Sequence, residues 1–454
     1  MKLISINPST GEEISLYKEH SSREVMEMLD LASRSQQDWK NNRLSLKIEY
    51  LPTLSSLLKD RTKELAICMA EEMGKPISQG ISEITKCASL CDYYYSNSVE
   101  FLKPQYIDTE ATESYFLYEP LGVILGIMPW NFPFWQVFRF AIPTLIAGNS
   151  IIIKHASNVQ GCANQLEKLF KDAGFQKGLF QNLSLSSINM KDIIEHSTIQ
   201  GVSFTGSTLA GKAVGELAGR TLKKVVMELG GNDPYVILKD ADLDLAVDSC
   251  IDGRILNAGQ SCIAAKRIIV DKEIVSSFIK KMVLKINTKI MGDPMDDVDL
   301  GPMVNIYART VLHQQVIESV NKGARLIDGG YIPDSEGAFY PLTLLTDIKP
   351  GMPAFDEELF GPVISIVEAN DESHAIELAN QTSFGLGGAV FTQNIKRGKE
   401  IAEKEIQTGA CFVNDFVKSD PRLPFGGIKE SGVGREMAQI GMTEFVNIKT
   451  VVIK

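Results

Sequence analysis

Cys262 closes the stretch Asn257-Ala258-Gly259-Gln260-Ser261-Cys262. Small residues and a glutamine before a thiol suit a loop where the backbone comes close to a ligand. Such a cysteine is either a covalent nucleophile or a buried, inert side chain. Glu228 stands in Met227-Glu228-Leu229-Gly230-Gly231. A carboxylate that ends an apolar run and precedes two glycines is costly to bury without a partner or a role. It serves either a structural ion pair or, with a raised pKa, general base catalysis. Asn131 sits in the proline-bounded segment Pro129–Pro133 (PWNFP). Its amide either caps the following helix or offers an NH2 group to a developing oxyanion.

Three further features bear on a ligand. Lys154 follows the apolar Ile151–Ile153. It either snorkels or places a cation near a ribose or phosphate. Gly206–Gly211 (GSTLAG) follows an apolar run and opens a helix, so backbone N–H groups there suit a pyrophosphate. The spacing is not G-x-G-x-x-G, so the usual dinucleotide fingerprint is absent. Gly432-Val433-Gly434 follows no strand pattern and reads as a turn.

The elements that must position these residues follow from periodicity. Ser21 to Glu24 reads as a capping box opening a helix with Val25, Met28, Leu29 and Ala32 on one face. A second helical region ends at Gly74-Lys75-Pro76. Cys87 and Cys91 lie one turn apart in a helix. Leu121–Met128 reads as a buried strand that PWNFP breaks. Phe134–Ala147 is an apolar helix, expected to be irregular at Pro143. Strands at Ile151–Ile153, Ile199–Phe204 and Val225–Leu229 alternate with helices at Gln160–Asp172 and Thr208–Ala218. Short apolar strands alternating with helices imply a parallel, doubly wound sheet, with ligands outside the carboxyl ends of its strands. Lys154, Thr205-Gly206-Ser207 and Glu228 all fall at such ends. The alternation resumes at Tyr235–Leu238, a helix from Asp242, Arg267–Val270 and a helix through the 280s. This is a second α/β domain. Phe445–Ile453 reads as a terminal strand that needs a partner edge, which a neighbouring subunit could supply.

The 454 residues are 44% hydrophobic and 23% charged, with a net charge of -11. That is an ordinary globular composition of two or three domains at roughly 150 residues each. The acidic balance and lack of a basic run argue against nucleic acid or an anionic membrane as partner. No apolar run approaches the ~20 residues that span a bilayer, and Met1–Pro8 does not read as a signal peptide. Seven scattered cysteines without a Cys-x-x-Cys pair or a Cys/His cluster suggest a reducing cytoplasm and no metal site.

Taken together and in order, PWNFP at 129–133, FTGS at 204–207, MELGG at 227–231, GQSC at 259–262, EELFGP at 357–362 and PFGG at 424–427 resemble the aldehyde dehydrogenase superfamily. The resemblance spans essentially the whole chain, and the MELGG-to-GQSC pairing is its most specific part. It implies an α/β fold with a Rossmann-type cofactor domain (1–108 and 129–228), an α/β catalytic domain (229–430) and a small β oligomerisation segment (109–128 and 431–454). It implies a homodimer or homotetramer acting on a small aldehyde. In such enzymes the cysteine, here Cys262, attacks the aldehyde. Asn131 and the Cys262 N–H hold the oxyanion, and Glu228 activates the water that hydrolyses the thioester. The division is chemically sensible, since a thiol captures aldehydes readily and its adduct loses hydride only if charge is stabilised. The resemblance places the cofactor along Trp130, Lys154, Ser207 and Gly230, with Glu358 on the nicotinamide ribose and Phe360 near the ring.

Departures from the family pattern refine this. Many members carry a glutamate three residues after the strand-end lysine. It binds adenine ribose hydroxyls and repels a 2′-phosphate. Here the position is Ser157, which tilts the cofactor from NAD to NADP. His155 stands where a proline is usual, and a structural role is expected for it. PWNFPFWQVFRF, KHASN, GQSCIAAKR and KSDPRLPFGG look most like bacterial succinate-semialdehyde dehydrogenases of the shorter type. Arg139 then serves either an interdomain salt bridge or, as a guanidinium, the substrate's remote carboxylate. Ser419 adds a hydrogen bond. Some such enzymes have a second arginine six residues before the cysteine; here Leu256 stands there, which leaves room for uncharged or amino aldehydes. Ala264 replaces the second cysteine of some relatives, so no neighbouring thiol can form a disulfide with Cys262. A non-catalytic binding protein of the same fold is the remaining alternative, and the set Cys262, Glu228 and Asn131 argues against it.

Overall fold

The computed structural model describes residues 3–454; Met1 and Lys2, part of the stretch read for a leader, lie outside them. The first helix runs Ser22–Lys40 behind a complete Ser21/Glu24 capping box, as its sequence pattern requires. Thr62–Met73 stops at Gly74, whose φ of 76° is the left-handed conformation glycine accepts without a Cβ clash. Ile77–Phe101 follows and carries Cys87 and Cys91.

A six-stranded sheet has the spatial order Gly432–Val433, Lys224–Glu228, Ile199–Thr205, Val123–Met128, Ser150–His155, Phe180–Asn182. All neighbours but the first pair are parallel. Ile151, Ile152 and Ile153 are fully buried, and each contributes roughly 2 kcal/mol of burial. Sequence order reverses between Val123–Met128 and Ile199–Thr205, which makes a topological switch point there. PWNFP leaves the carboxyl end of the first of these strands, and Gly206-Ser207 leaves the second. The two loops therefore flank the crevice where doubly wound sheets bind ligands.

A seven-stranded sheet follows in the order Arg325–Asp328, Thr343–Thr346, Val363–Ala369, Arg267–Asp271, Pro234–Ile237, Gly387–Phe391, Ala410–Val413. It is parallel except at its Arg325–Asp328 edge. Two smaller antiparallel sheets complete the chain. Leu3–Ile6 pairs with Glu13–Tyr17, and Glu113–Pro120 lies between Gln105–Tyr106 and Val446–Ile453.

Four expectations need correction. Val123–Met128 belongs to the middle of the six-stranded sheet, not to the segment 109–128, because an almost wholly apolar run is buried best between two parallel neighbours. Gly432–Val433 is a short edge strand rather than a turn. A Cβ on Gly432 would stand 2.0 Å from the carbonyl oxygen of Met227, so glycine is needed for that pairing. The terminal strand finds its partner in Glu113–Pro120 of its own chain, with one edge left open. The helix Trp135–Ile146 passes through Pro143 without interruption. Among the described residues no helix is long and apolar enough to cross a membrane.

Candidate active site

The PWNFP loop is held by three contacts that its own sequence does not announce. Glu83, buried and ion-paired with Lys75, accepts the N–H groups of Phe134 and Trp135, each at 2.9 Å. A carboxylate at a helix N-terminus satisfies otherwise unpaired donors and meets the positive end of the helix dipole. Asn257 Nδ2 donates to the carbonyl of Asn131 at 2.9 Å. His155 Nδ1 accepts from the Ala156 N–H at 2.9 Å, so its other nitrogen, 2.9 Å from the Pro133 oxygen, carries the proton and donates. His155 is thus a neutral strut between the strand end and the loop.

Burial lowers the His155 pKa from 6.5 to about 4. A depressed pKa means the unfolded chain takes up the proton first as pH falls. The stability His155 contributes is therefore full above pH 6.5 and lost progressively toward pH 4, by ~3 kcal/mol. The urea midpoint of the wild type should fall more steeply across this window than that of His155→Gln. Parallel slopes would show that His155 is not buried neutral.

Cys262 follows a strained segment. Asn257, Ala258 and Gly259 have φ of 55°, 51° and 73°. Left-handed backbone at two non-glycine residues must be enforced by surroundings. Asn257 supplies much of this: its N–H donates to Gln79 Oε1 at 2.7 Å, and its side chain ties Asn131 and Gln260. A Cβ on Gly259 would lie 2.3 Å from the Gly361 oxygen, so the GQSC and EELFGP stretches pack backbone to backbone. Buried Lys266 donates to the carbonyls of Ser261 and Cys262 and pairs with Glu358 at 3.1 Å. Glu358 also accepts the Gly231 N–H at 3.0 Å. The Cys262 loop, the glycine pair after Glu228 and the carboxylate of Glu358 thus form one connected unit. Lys266 and Asn257 were not singled out by sequence. The preference of asparagine for left-handed backbone was the one available signal.

Cys262 lines two cavities at once. The first, about 280 Å³, is bounded by Trp130, Asn131, Thr205, Gly206, Ser207, Leu229, Gly230, Glu358 and Phe360, among others. Trp130 and Phe360 meet edge to face there, with centroids 5.9 Å apart. Ser207 caps the helix Thr208–Arg220, accepting from the Ala210 N–H. A Cβ on Gly230 would come within 2.5 Å of Glu358 Oε2, so glycine keeps that carboxylate in place. A helix N-terminus at a switch point beside a carboxylate and an aromatic wall fits a dinucleotide. Lys154 and Ser157 lie apart from this cavity, at and just past the end of Ser150–His155, with Lys154 buried and Ser157 half-buried. Burial lowers the Lys154 pKa, and the Glu19 carboxylate opposes it.

The second cavity, about 140 Å³, is mostly apolar, with Phe132, Trp135, Ile263, Phe416 and Phe425 in its wall. Arg139 and Ser419 line it too. The charge of Arg139, however, is already matched. Its guanidinium pairs with buried Glu436, approaches Thr205 Oγ1 at 3.4 Å and stacks 4.7 Å over Phe425. Of the two expectations for Arg139, the structural ion pair is therefore present, although its partner lies in the chain's C-terminal segment.

Burial pushes the Cys262 thiol up to about 12, against the pull of Arg139 and Lys266. The Cys262 N–H donates to no acceptor among the described residues and remains available to an oxyanion. Asn131 Nδ2 gives one hydrogen to the Gln260 carbonyl at 3.1 Å, which leaves a second. Glu228 is buried, and neither of its carboxylate oxygens has a hydrogen-bond partner. Desolvation raises its pKa well above the usual carboxylate range, opposed by Arg139 and reinforced by Glu436. Glu228 lines neither cavity; a Cβ on Gly426 of PFGG would be 2.7 Å from its Oε1.

The aldehyde dehydrogenase family model matches residues 1–451. The chain belongs to the aldehyde dehydrogenase family. It is 43% identical over 449 residues to the succinate semialdehyde dehydrogenase [NAD(P)+] of Escherichia coli, covering 99% of this chain and 97% of that protein. It is 41% identical to a probable succinate-semialdehyde dehydrogenase [NADP(+)] of Synechocystis, covering 99% of both. The crystal structure of succinic semialdehyde dehydrogenase from Streptococcus pyogenes with NADP+ superposes with a TM-score of 0.97 at 34% identity, covering 99% of each chain. An aldehyde dehydrogenase fold therefore carries this site.

Away from the site, Cys68, Glu72 and Cys162 bring their ligand-type atoms within 4.8 Å of one another, a grouping no sequence spacing reveals. Glu72 is already occupied there by the N–H groups of Gly161 and Cys162 and by Ser5.

Proposed function

We propose that this aldehyde dehydrogenase oxidises succinate semialdehyde to succinate with NADP as the preferred cofactor and NAD as the alternative. The observation that carries this reading is that Cys262 stands in the walls of both cavities. A thiol so placed faces an aldehyde on one side and a hydride acceptor on the other. Cys262 Sγ attacks the aldehyde carbon, and the thiol proton passes to solvent. The Asn131 amide and the Cys262 N–H hold the oxygen of the adduct, where charge develops. A nicotinamide held in the first cavity would supply the hydride acceptor, and loss of hydride from the adduct carbon would leave a thioester on Cys262. Glu228, turned from its place against Gly426, takes a proton from the water that attacks this thioester, and the acid and the free thiol result. The identities of the relatives above support the substrate and the cofactor.

The six-stranded unit with its N-terminal helices would hold the cofactor, through Trp130, Ser207, Gly230, Glu358 and Phe360, with Lys154 and Ser157 on the adenosine half. The seven-stranded unit would carry the nucleophile. A homodimer or homotetramer is supported by the open edge of Val446–Ile453, where Ile448 and Val452 are exposed. Seven free thiols fit a cytoplasmic setting.

Initial rates for succinate semialdehyde and butanal, each with NADP and NAD, test the reading. The acid aldehyde with NADP should give the highest kcat/KM. Equal values for both aldehydes would remove the substrate assignment. Ser157→Glu should raise the KM for NADP roughly 10- to 100-fold and leave that for NAD nearly unchanged, because a new negative charge faces the 2′-phosphate. An equal change for both cofactors would place residue 157 away from that phosphate.

A further inference from the structure

Lys86 has no role in the chemistry described so far. It lies on the helix Ile77–Phe101 and lines the same cavity as Cys262, Arg139 and Ser419. Gln79, Ser82, Glu83 and Lys86 follow the i, i+3, i+4, i+7 pattern, and all four line this cavity. The Lys86 ammonium donates to Ser419 Oγ at 2.6 Å and sits 4.3 Å from the centre of the Trp135 ring. The Trp135 indole N–H donates to the same Ser419 oxygen at 3.1 Å.

The nearby carboxylates are engaged elsewhere. Glu83, one turn away, pairs with Lys75 and caps the following helix. Asp420 is held by Arg422. Arg139 is matched by Glu436. Among the described residues Lys86 has no carboxylate within ion-pair distance, while it faces a mostly apolar cavity that also holds Cys262. A partly desolvated charge in that position is costly until an anion enters. Burial accordingly pulls the Lys86 pKa to about 8. Lys86, Arg139 and Cys262 line the same cavity.

We propose that Lys86, presented by Ser419 and Trp135, is the cation that binds the remote carboxylate of the aldehyde and so selects an acidic substrate. The inference rests on the substrate reading above. No covalent step is involved; the carboxylate takes hydrogen bonds from the ammonium and from the Ser419 hydroxyl, which turns to donate. The binding is realised far from the reacting carbon, so its loss appears in KM rather than in kcat.

Lys86→Gln keeps a donor for Ser419 and removes the charge. Its KM for succinate semialdehyde should rise roughly 10- to 100-fold, with kcat within about 3-fold and the KM for butanal unchanged or lower. Lys86→Arg should recover most of the loss, because it restores the charge. An unchanged KM for succinate semialdehyde in Lys86→Gln would overturn the proposal and return the carboxylate to Arg139. Equal losses on both aldehydes would also overturn it, since they mark a purely structural lysine. If the wild type itself fails to prefer succinate semialdehyde to butanal, the substrate reading fails first, which keeps the two failures distinct.

Discussion

Cys262→Ala is expected to lower kcat for any aldehyde by about 10⁴-fold or more, with cofactor binding retained. The side chain is half-buried at the junction of two cavities, and the loop geometry around it does not depend on the sulfur. Asn257, Lys266 and Gly259 fix that loop through backbone contacts. The alanine variant should therefore fold and still quench or shift cofactor fluorescence on titration. Retained activity within 100-fold would remove Cys262 from the chemistry. The same residue carries a pH signature. Burial favours the neutral thiol, with its pKa near 12. Alkylation by iodoacetamide in the absence of cofactor should thus accelerate about tenfold per pH unit from 7 to 10 without levelling off. A plateau near neutrality would mean that the free enzyme already holds a thiolate.

Glu228→Gln should separate the two halves of the reaction. The carboxylate is buried with both oxygens unpartnered and its pKa is raised. It is thus suited to take a proton only late, from water, when the thioester must be hydrolysed. Glutamine keeps the volume and loses the base. We expect a burst of reduced cofactor close to one per active site, followed by turnover slowed roughly 10²- to 10⁴-fold. Acid quenching during the slow phase should trap an acyl group on Cys262, visible as added mass. Loss of the burst together with the steady rate would instead place Glu228 in the attack step. In the wild type, hydrolysis should speed up with pH beyond the ordinary carboxylate range, because desolvation favours the protonated form at lower pH.

Several elements were readable from their own residues. The Ser21/Glu24 box, the Gly74 stop and the helix Gln160–Asp172 depend on neighbours within a turn or two. The apolar strands of the first sheet followed from short runs of branched residues, because such runs are stable only when covered on both faces. Cys262, Glu228 and Asn131 were identifiable as a set through the order of the motifs that contain them. The carboxyl-end rule for parallel sheets placed Lys154, Thr205-Gly206-Ser207 and Glu228 at strand ends before the strand order was known.

Other features lay beyond local rules. Gly432–Val433 is too short to show a pattern and becomes a strand only beside Met227 and Glu228. Lys86 stands in no motif of the sequence, and only packing brings it to the cavity of Cys262. The sequence by itself determined the sheet-building segments and the family, since these depend on residue type and short-range spacing. The tertiary structure alone decided which charges are spent on the fold and which remain for a ligand. Arg139 is spent on Glu436, distant in sequence, while Lys86 is left facing the cavity. The physical reason is that a buried charge takes whichever counter-charge the packing brings within a few ångströms, and no local pattern encodes that choice. The structure adds to the Cys262 motif what the motif could not show: a place in the walls of two cavities and a pKa raised by burial.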